Sequence, residues 1–288
     1  MNYHPALLAT LFATVFLSAC AHNMPNADRM EQPAAWTSLL DAELSQWEVY
    51  TGKPHRSLEA EARELLGPDW KLGQPGGLGD PFGLFTTRTD PSGEVILEVS
   101  GQVYGGLTTL ESYSNYHLTL LVRWRETKWE PRLDKKRDSG ILYHCYGAHG
   151  AFWDVWKRSL ELQVQEGDIG DLYQLAGPSS LTTRTAEDVW NPTAPASSFR
   201  KRVIRSTDQE SPHGEWTRID LYVLGDRALH VVNGEVVMAL TDAKDHQGQP
   251  LIAGQIQLQS EGADCDYKDI RIRPISDFPE TLRQAAGL

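Results

Sequence analysis

Basic residues are in short supply in this sequence. The 288-residue chain carries 27 Lys and Arg against 39 Asp and Glu, a formal net charge of −12. A surface of that sign repels phosphate backbones, and no basic cluster is interleaved with aromatics, so nucleic acid is excluded as a partner. There is no Walker-type loop, no internal repeat and no low-complexity tract. Cysteine is scarce, with only Cys20, Cys145 and Cys265, and no clustered His accompanies them, so there is no zinc signature. Helix signals are sparse as well. What remains is an ordinary globular composition, 40% hydrophobic and 23% charged, long enough for a substantial core and with nothing that reads as an interdomain linker.

The N-terminus carries one apolar run, Ala6 to Ala19, which is too short to span a bilayer. It ends in Leu17-Ser18-Ala19-Cys20, and a short apolar segment before small residues reads as a signal peptide. The ending resembles a bacterial lipobox, which implies cleavage before Cys20 and lipid on its sulfur. The five residues before the run hold His4 but no Lys or Arg, so an uncleaved signal anchor is the competing reading. Ala21, in place of Asp, points to the outer membrane of a Gram-negative cell, facing the periplasm or the surface. The expected organisation is a signal peptide over 1–19, a tether over 20–35 and one domain over 36–288, with membrane contact only through the lipid. In an exported protein Cys145 and Cys265 are permitted to pair. The alternation of Cys145 with Ile141 and Tyr143 fits a buried free thiol equally well.

Strand signals dominate the rest. Short β-branched or aromatic runs occur at 93–109, 116–127, 139–147, 159–167, 217–226, 227–241, 254–262 and 266–275, most of them bounded by Gly, Asn, Asp or Pro. Val232-Asn233-Gly234-Glu235 is a type I′ hairpin signal. Short helices are predicted at 57–66 and 279–286. Segments 126–138 and 176–215 read as long loops, of the kind that wall a ligand groove. Many strands joined by short turns predict an all-β sandwich or jelly roll of two antiparallel sheets.

Two strands have unusual polar faces. Glu161, Gln163 and Gln165 share one parity, opposite Leu160, Leu162 and Val164. Gln257, Gln259 and Glu261 likewise alternate with Ile256, Leu258 and Ser260. Residues two apart in a strand lie on one face, roughly 6.6 Å from each other. The plain reading is a solvated outer face. However, Glu and Gln are poor strand formers, and both rows run into Glu-Gly turns at Glu166-Gly167 and Glu261-Gly262. Amides and carboxylates in a row match the vicinal hydroxyls of a sugar, and aromatic rings cover its apolar face. Glu161 resembles the first carboxylate of the E-x-D-x-E strand in laminarinase-type glycosidases, whose paired carboxylates cleave glycosides. Here Gln stands at 163 and 165, so that strand lacks a nucleophile.

Six motifs in order resemble the bacterial 3-keto-disaccharide hydrolase domain family, over about residues 36 to 276. They are WTSLLDAELSQWEVY (36–50), GQVYGGLTTLESYSNYHLTLLVRW (101–124), DSGILYH (138–144), WKRSLELQVQEGDIGDLY (156–173), GEWTRIDLYV with ALHVVNGEVV (214–237) and GQIQLQSEGADCDYKDIRIRPI (254–275). In the first, Leu40-Asp41 stands where the family has Asn-Gly. The resemblance implies a concanavalin A-like, LamG-like jelly roll with long loops over its concave face. It also implies an enzyme acting on 3-keto-glycosides, with an oligosaccharide or glycoside substrate. A ketone at C3 acidifies the C2 hydrogen, so a base can remove it, the C1 aglycone leaves, and water adds back. This chemistry needs a base, an acid and donors for the enolate, not a nucleophile–acid pair on one strand. A partner 3-dehydrogenase would supply the ketone.

The candidate roles follow from that chemistry. Glu161 or His144 is the base, and Glu166, Asp171 or Glu261 is the acid or a structural ligand. Gln163 and Gln259 hold hydroxyls. Trp156 and Tyr173 are sugar platforms, and Lys128 and Trp129 lie on a loop that would close over the site. The Asp168/Asp171 turn is a capped turn or a calcium site, although it lacks the EF-hand pattern. The rival functions are a non-catalytic, lectin-like glycan-binding lipoprotein on the same fold and a structural envelope lipoprotein.

Overall fold

Glycine and asparagine turns cut the alternating runs into antiparallel strands. At the hairpin signal, Asn233 and Gly234 both take positive φ, 47° and 89°, as a type I′ turn requires. The computed structural model describes residues 34–288. The signal peptide, Cys20 and most of the expected tether lie outside the described residues.

The early strands are β1 (Thr37–Ser38), β2 (Trp47–Thr51), β3 (Gly77–Leu78), β4 (Phe85–Thr89), β5 (Val95–Val99) and β6 (Gly105–Thr109). The middle of the chain forms β7 (Tyr116–Lys128), β8 (Asp138–Tyr146), β9 (Arg158–Gln165), β10 (Leu172–Leu175), β11 (Ser179–Thr183), β12 (Ala196–Ser198) and β13 (Arg202–Val203). The last strands are β14 (Thr217–Leu224), β15 (Arg227–Val232), β16 (Glu235–Lys244), β17 (Gln255–Ser260) and β18 (Ala263–Pro274). Two helices, α1 (Glu59–Leu66) and α2 (Glu280–Ala286), fall where helix formers cluster.

The strands form two antiparallel sheets, the predicted jelly-roll sandwich. One has the order β12-β11-β16-β15-β14-β7-β18-β5-β4, with β1 added on β18. The other has the order β13-β10-β9-β8-β17-β6-β2-β3. Leu160, Leu162 and Val164 of β9 and Ile256 and Leu258 of β17 enter a core shared with Leu118, Leu120 and Val122 of β7. Residues 34–288 make one compact unit.

Three sequence expectations are revised. The run 93–109 is two strands in different sheets, because Ser100 to Tyr104 crosses between them; Gly101 passes so close to the Ala263 backbone that a Cβ would not fit. The loop expected at 126–138 is shorter, since β7 runs to Lys128 and β8 begins at Asp138. The segment 176–215 is not all loop but carries β11, β12 and β13. Cys145 and Cys265 are both buried free thiols, so the pairing permitted by the sequence is not made.

Candidate active site

The face of the eight-stranded sheet turned away from the core carries the polar rows. Strand register aligns them sideways. Glu161 pairs with Leu142 on one side and Tyr173 on the other. One step along, Gln163 pairs with Gly140, and Gln259 reaches the same place from β17. A Cβ on Gly140 would collide with the side-chain oxygens of both Glu161 and Gln259, so the glycine is what lets the two meet. The next step aligns Gln165 with Asp138. Asp138, Glu161, Gln163, Gln165, Gln259 and Glu261 line a cavity of about 260 Å³. Trp156, Trp153, Phe152 and Tyr173 form its aromatic wall, and Lys201 stands at its edge.

Three carboxylates share this space with one guanidinium. Arg132, from the loop after β7, donates to Asp138 Oδ2 and, at 3.0 Å, to Glu261 Oε1. Gln165 Nε2 also donates to Asp138 Oδ2 at 2.5 Å. Burial raises Asp138 to about 7, against the pull of Arg132. Burial and the Asp138 charge push Glu261 well above the ordinary carboxylate range. Glu161 is 5% exposed and, unlike the other two, is held by no guanidinium. Burial, then the Asp138 charge, pushes its carboxyl well above the ordinary range too. The amide oxygens of Gln163 and Gln259 and Asp138 Oδ1 are buried without a hydrogen-bond partner. Buried acceptors left unpaired are costly. A ligand that brings hydroxyl donors would relieve them.

Gln257 shows the contrast. It is on the same strand and parity as Gln259, yet it donates to Thr108 Oγ1 (2.7 Å) and accepts from the Lys157 backbone N–H (3.2 Å). It braces the sheet and leaves nothing free.

Of the residues proposed from sequence, the cavity gathers Glu161, Gln163, Gln259, Glu261, Trp156 and Tyr173. The other candidates lie elsewhere. His144 sits at a bulge between Tyr143 and Tyr146 with φ +53°, which inverts its parity. Its ring turns to the Gly225 carbonyl (Nε2 to O, 3.1 Å), and burial lowers its pKa to about 4. Glu166 turns outward to Arg137, 3.0 Å away, and to His213. Asp171 is fully buried and accepts from Arg202 Nε (2.6 Å) and the Arg205 backbone N–H (2.9 Å). Lys128 Nζ donates to the Lys135 carbonyl and Trp129 Nε1 to Asp264 Oδ1, both at 2.7 Å. They brace the loop that delivers Arg132 instead of covering the cavity. Trp156 is a buried wall whose Nε1 donates to the Gly105 carbonyl at 3.0 Å.

The Asp168/Asp171 turn does not fit calcium. Lys136 binds Asp168 at 2.8 Å, and Arg202 and Arg205 bind both carboxylates, so an ion would have to displace three cations. Among the described residues, no group of three or more His, Cys, Asp or Glu is disposed to hold a metal ion.

Several residues of the site region escaped the sequence reading, Lys201 at the cavity among them. Asp138 stands inside the DSGILYH motif and begins β8, where alternation alone gives no hint of a partner. Arg132 lies in a charged loop that reads as solvated. Tyr104 stacks on Trp156 with ring centroids 5.7 Å apart. Trp153 is 58% exposed with φ +52°. The local signal for Trp153 was the aromatic cluster Phe152-Trp153-Asp154-Val155-Trp156.

The family model described as the 3-keto-alpha-glucoside-1,2-lyase-like domain matches residues 35–273. No curated protein matches the sequence. Among solved structures, a candidate glycosyl hydrolase from Parabacteroides distasonis is 13% identical, covering 84% of this chain and 100% of its own, with a TM-score of 0.46. Domain 4 of AbnA, an extracellular GH43 arabinanase from Geobacillus stearothermophilus, in complex with arabinotriose, is 15% identical over 88% of this chain and 98% of its own, with a TM-score of 0.41. The carbohydrate-binding module CBM66 from Bacillus subtilis is 10% identical over 66% and 91%, also with a TM-score of 0.41.

Proposed function

The chain belongs to the 3-keto-alpha-glucoside-1,2-lyase-like domain family, a carbohydrate-active, glycosyl-hydrolase-like group, and from that premise we propose that it cleaves 3-keto-glycosides by elimination. The observation that carries this reading is the unpaired, buried Glu161 beside the Arg132-linked pair of Asp138 and Glu261. Glu161, as carboxylate, takes the C2 proton. The C–H electrons move into the C2–C3 bond and load charge on the C3 oxygen. The amide N–H groups of Gln163 and Gln259 and the Lys201 ammonium are the available donors for that oxygen. The C1=C2 bond then forms as the C1–O bond breaks, and the departing oxygen takes a proton from Glu261. The products are a 3-keto-2-hydroxyglycal and the free aglycone alcohol. Addition of water across C1=C2 gives the free 3-keto-sugar.

The raised carboxyls suit this division of labour. An acid must hold its proton near neutrality, and a base gains strength from a raised pKa once ionised. Retaining glycoside hydrolysis instead needs a nucleophile paired with an acid across the scissile bond. The β9 row places Gln at both positions after Glu161.

The substrate requires an oxidation at C3 upstream, so a dehydrogenase acting on the same glycoside belongs in the reaction sequence. We place the work in the cell envelope, with Cys20 as the lipid-bearing residue. Labelling with a palmitate analogue in cells, lost in Cys20→Ser, tests that placement.

The deciding experiment is incubation with 3-keto-disaccharides in D₂O. Appearance of the glycal or the free 3-keto-sugar with deuterium at C2 supports elimination. Cleavage with full retention of the C2 hydrogen refutes it. Sugar binding with no turnover by the wild type would leave a glycan-binding module instead.

A further inference from the structure

We propose that a second cavity beside the first is the aglycone site, and that it selects an apolar, aryl-bearing leaving group over a second hexose. The inference rests on the 3-keto-glycoside reading of the first cavity. The second cavity measures about 460 Å³, and Trp153 lines both. The two are joined elsewhere as well. Tyr104 lines the second and stacks on Trp156 of the first, 5.7 Å away. Glu130 and Pro131 line the second, and the next residue, Arg132, holds the carboxylates of the first. A glycoside lying across Trp153 would therefore put its sugar ring over the amide rows and its leaving group in the second cavity. The C1–O bond would sit at the junction.

The chemistry of the walls decides which leaving group fits. The first cavity presents unpaired acceptors, whereas the second is walled by Pro54, Leu72, Val103, Tyr104, Pro131 and Trp153. Three of its polar side chains are already engaged, whereas Arg56 and Glu130 are exposed. Lys53 Nζ is bound to Asp154 at 2.5 Å, His55 Nδ1 meets Ser57 Oγ at 2.9 Å, and Gln102 Nε2 donates to the Phe82 carbonyl at 2.7 Å. For the hydroxyls of a hexose that leaves chiefly the exposed Arg56 and Glu130, against six apolar walls, and a buried hydroxyl without a partner is penalised.

Two further features mark the site as built. Leu72 and Trp153 are large apolar side chains left 46% and 58% exposed, and both face this cavity. Trp153 and Asp154 hold consecutive left-handed conformations, φ +52° and +62°, which non-glycine residues seldom adopt. The Lys53–Asp154 ion pair pins that strained segment, and with it the indole that separates the two cavities.

The test compares benzyl, methyl and glucosyl 3-keto-glucosides with the full-length protein. Benzyl alcohol and methanol are leaving groups of similar acidity, so kcat/KM differences report the site. The expected result is a benzyl preference of about 10-fold over both others, the usual worth of an apolar contact in a pocket. Leu72→Glu should bring the benzyl-to-methyl ratio to near parity, with Leu72→Gln as the substitute if the Glu variant does not fold. A preference for the glucosyl compound, or a benzyl preference that survives the substitution, overturns the proposal. If no 3-keto-glycoside is turned over, the proposed reaction fails by itself. The second cavity is then read by titrating benzyl alcohol and following the Trp153 indole N–H by NMR. A saturable shift that Leu72→Glu abolishes upholds the apolar site, and no saturable shift refutes it.

Discussion

The side chains of Glu161 and Gln259 meet above Gly140, from strands on either side of it. A Cβ at that position would strike both oxygens, so Gly140 sets the spacing of the proposed base and the amide proposed to hold a hydroxyl. Gly140→Ala should cost about 1–3 kcal/mol, the usual effect of overpacking. Turnover should fall further than stability, on the order of 100-fold, because displacing reacting groups by an ångström costs about that much. Paired measurements of kcat and thermal midpoint decide the point. Turnover within a few-fold of wild type would separate Gly140 from the chemistry.

Glu161→Gln gives a prediction with a sign in pH. Burial, then the Asp138 charge, holds the folded carboxyl well above its ordinary 4.5. The folded protein therefore keeps a proton that the unfolded chain has released. This stabilises the fold at acid pH, and the contribution is lost as pH rises from about 4.5 through the raised value. Gln does not titrate, so wild-type stability minus variant stability should fall steadily with pH over that interval. His144 and His230, both lowered to about 4 by burial, drive stability the other way between 4 and 6.5, but they are common to both proteins and cancel in the difference. Urea unfolding at a series of pH values provides the curves, and a flat difference would mean that Glu161 is not raised. Loss of the base should also lower kcat by about 10²- to 10⁴-fold.

Much of this architecture is legible in the chain because burial imposes a period. The alternation in 159–165 and 255–260 shows which side chains enter the core. Asn233-Gly234 fixes a hairpin, and the Gln and Glu on the opposite parity mark the polar face. What alternation cannot carry is a break in itself. The bulge after Tyr143 sends His144 to the wrong side of the sheet, and no residue type announces it. The run 93–109 keeps its apolar rhythm while crossing between sheets, since Gly101 and the residues around it turn without a proline. Arg132 and Asp138 are matched by tertiary placement alone. Their ion pair spans a charged loop whose sequence looks like any solvated connection.

His144 separates the structure from the sequence pattern directly. The ring is buried, bonded to the Gly225 carbonyl and outside the cavity. His144→Gln should cost stability, about 1–3 kcal/mol for disturbing a buried hydrogen bond. Catalysis should stay within a few-fold of wild type once the protein is folded. A loss comparable to that of Glu161→Gln, with the thermal midpoint intact, would restore His144 as the base.

Among the described residues, Arg132 is the one cation bonded to both Asp138 and Glu261. Asp138 and Glu261 are nearly fully buried, 4% and 7% exposed at the side chain, and Arg132→Met removes the cation while keeping much of the side-chain length. Leaving buried charge uncompensated costs about 3–5 kcal/mol. The penalty should be largest above neutral pH, where Asp138 is ionised, and should shrink as pH falls through its value of about 7. Asp138 then takes a proton beside Glu261, whose carboxyl already holds one near neutrality, and no buried charge is left uncompensated. Arg132 pulls both carboxyls down, so without it they rise further; the folded variant takes up protons more readily than the wild type and gains on it toward acid pH. Denaturation of both proteins at pH 5 and pH 8 reads the effect. If the two differ equally at both, Arg132 acts as packing and does not neutralise the pair. Turnover should be lost at pH 8 and stay low at pH 5 even where stability recovers, because Glu261 depends on Arg132 for its position as well as its charge.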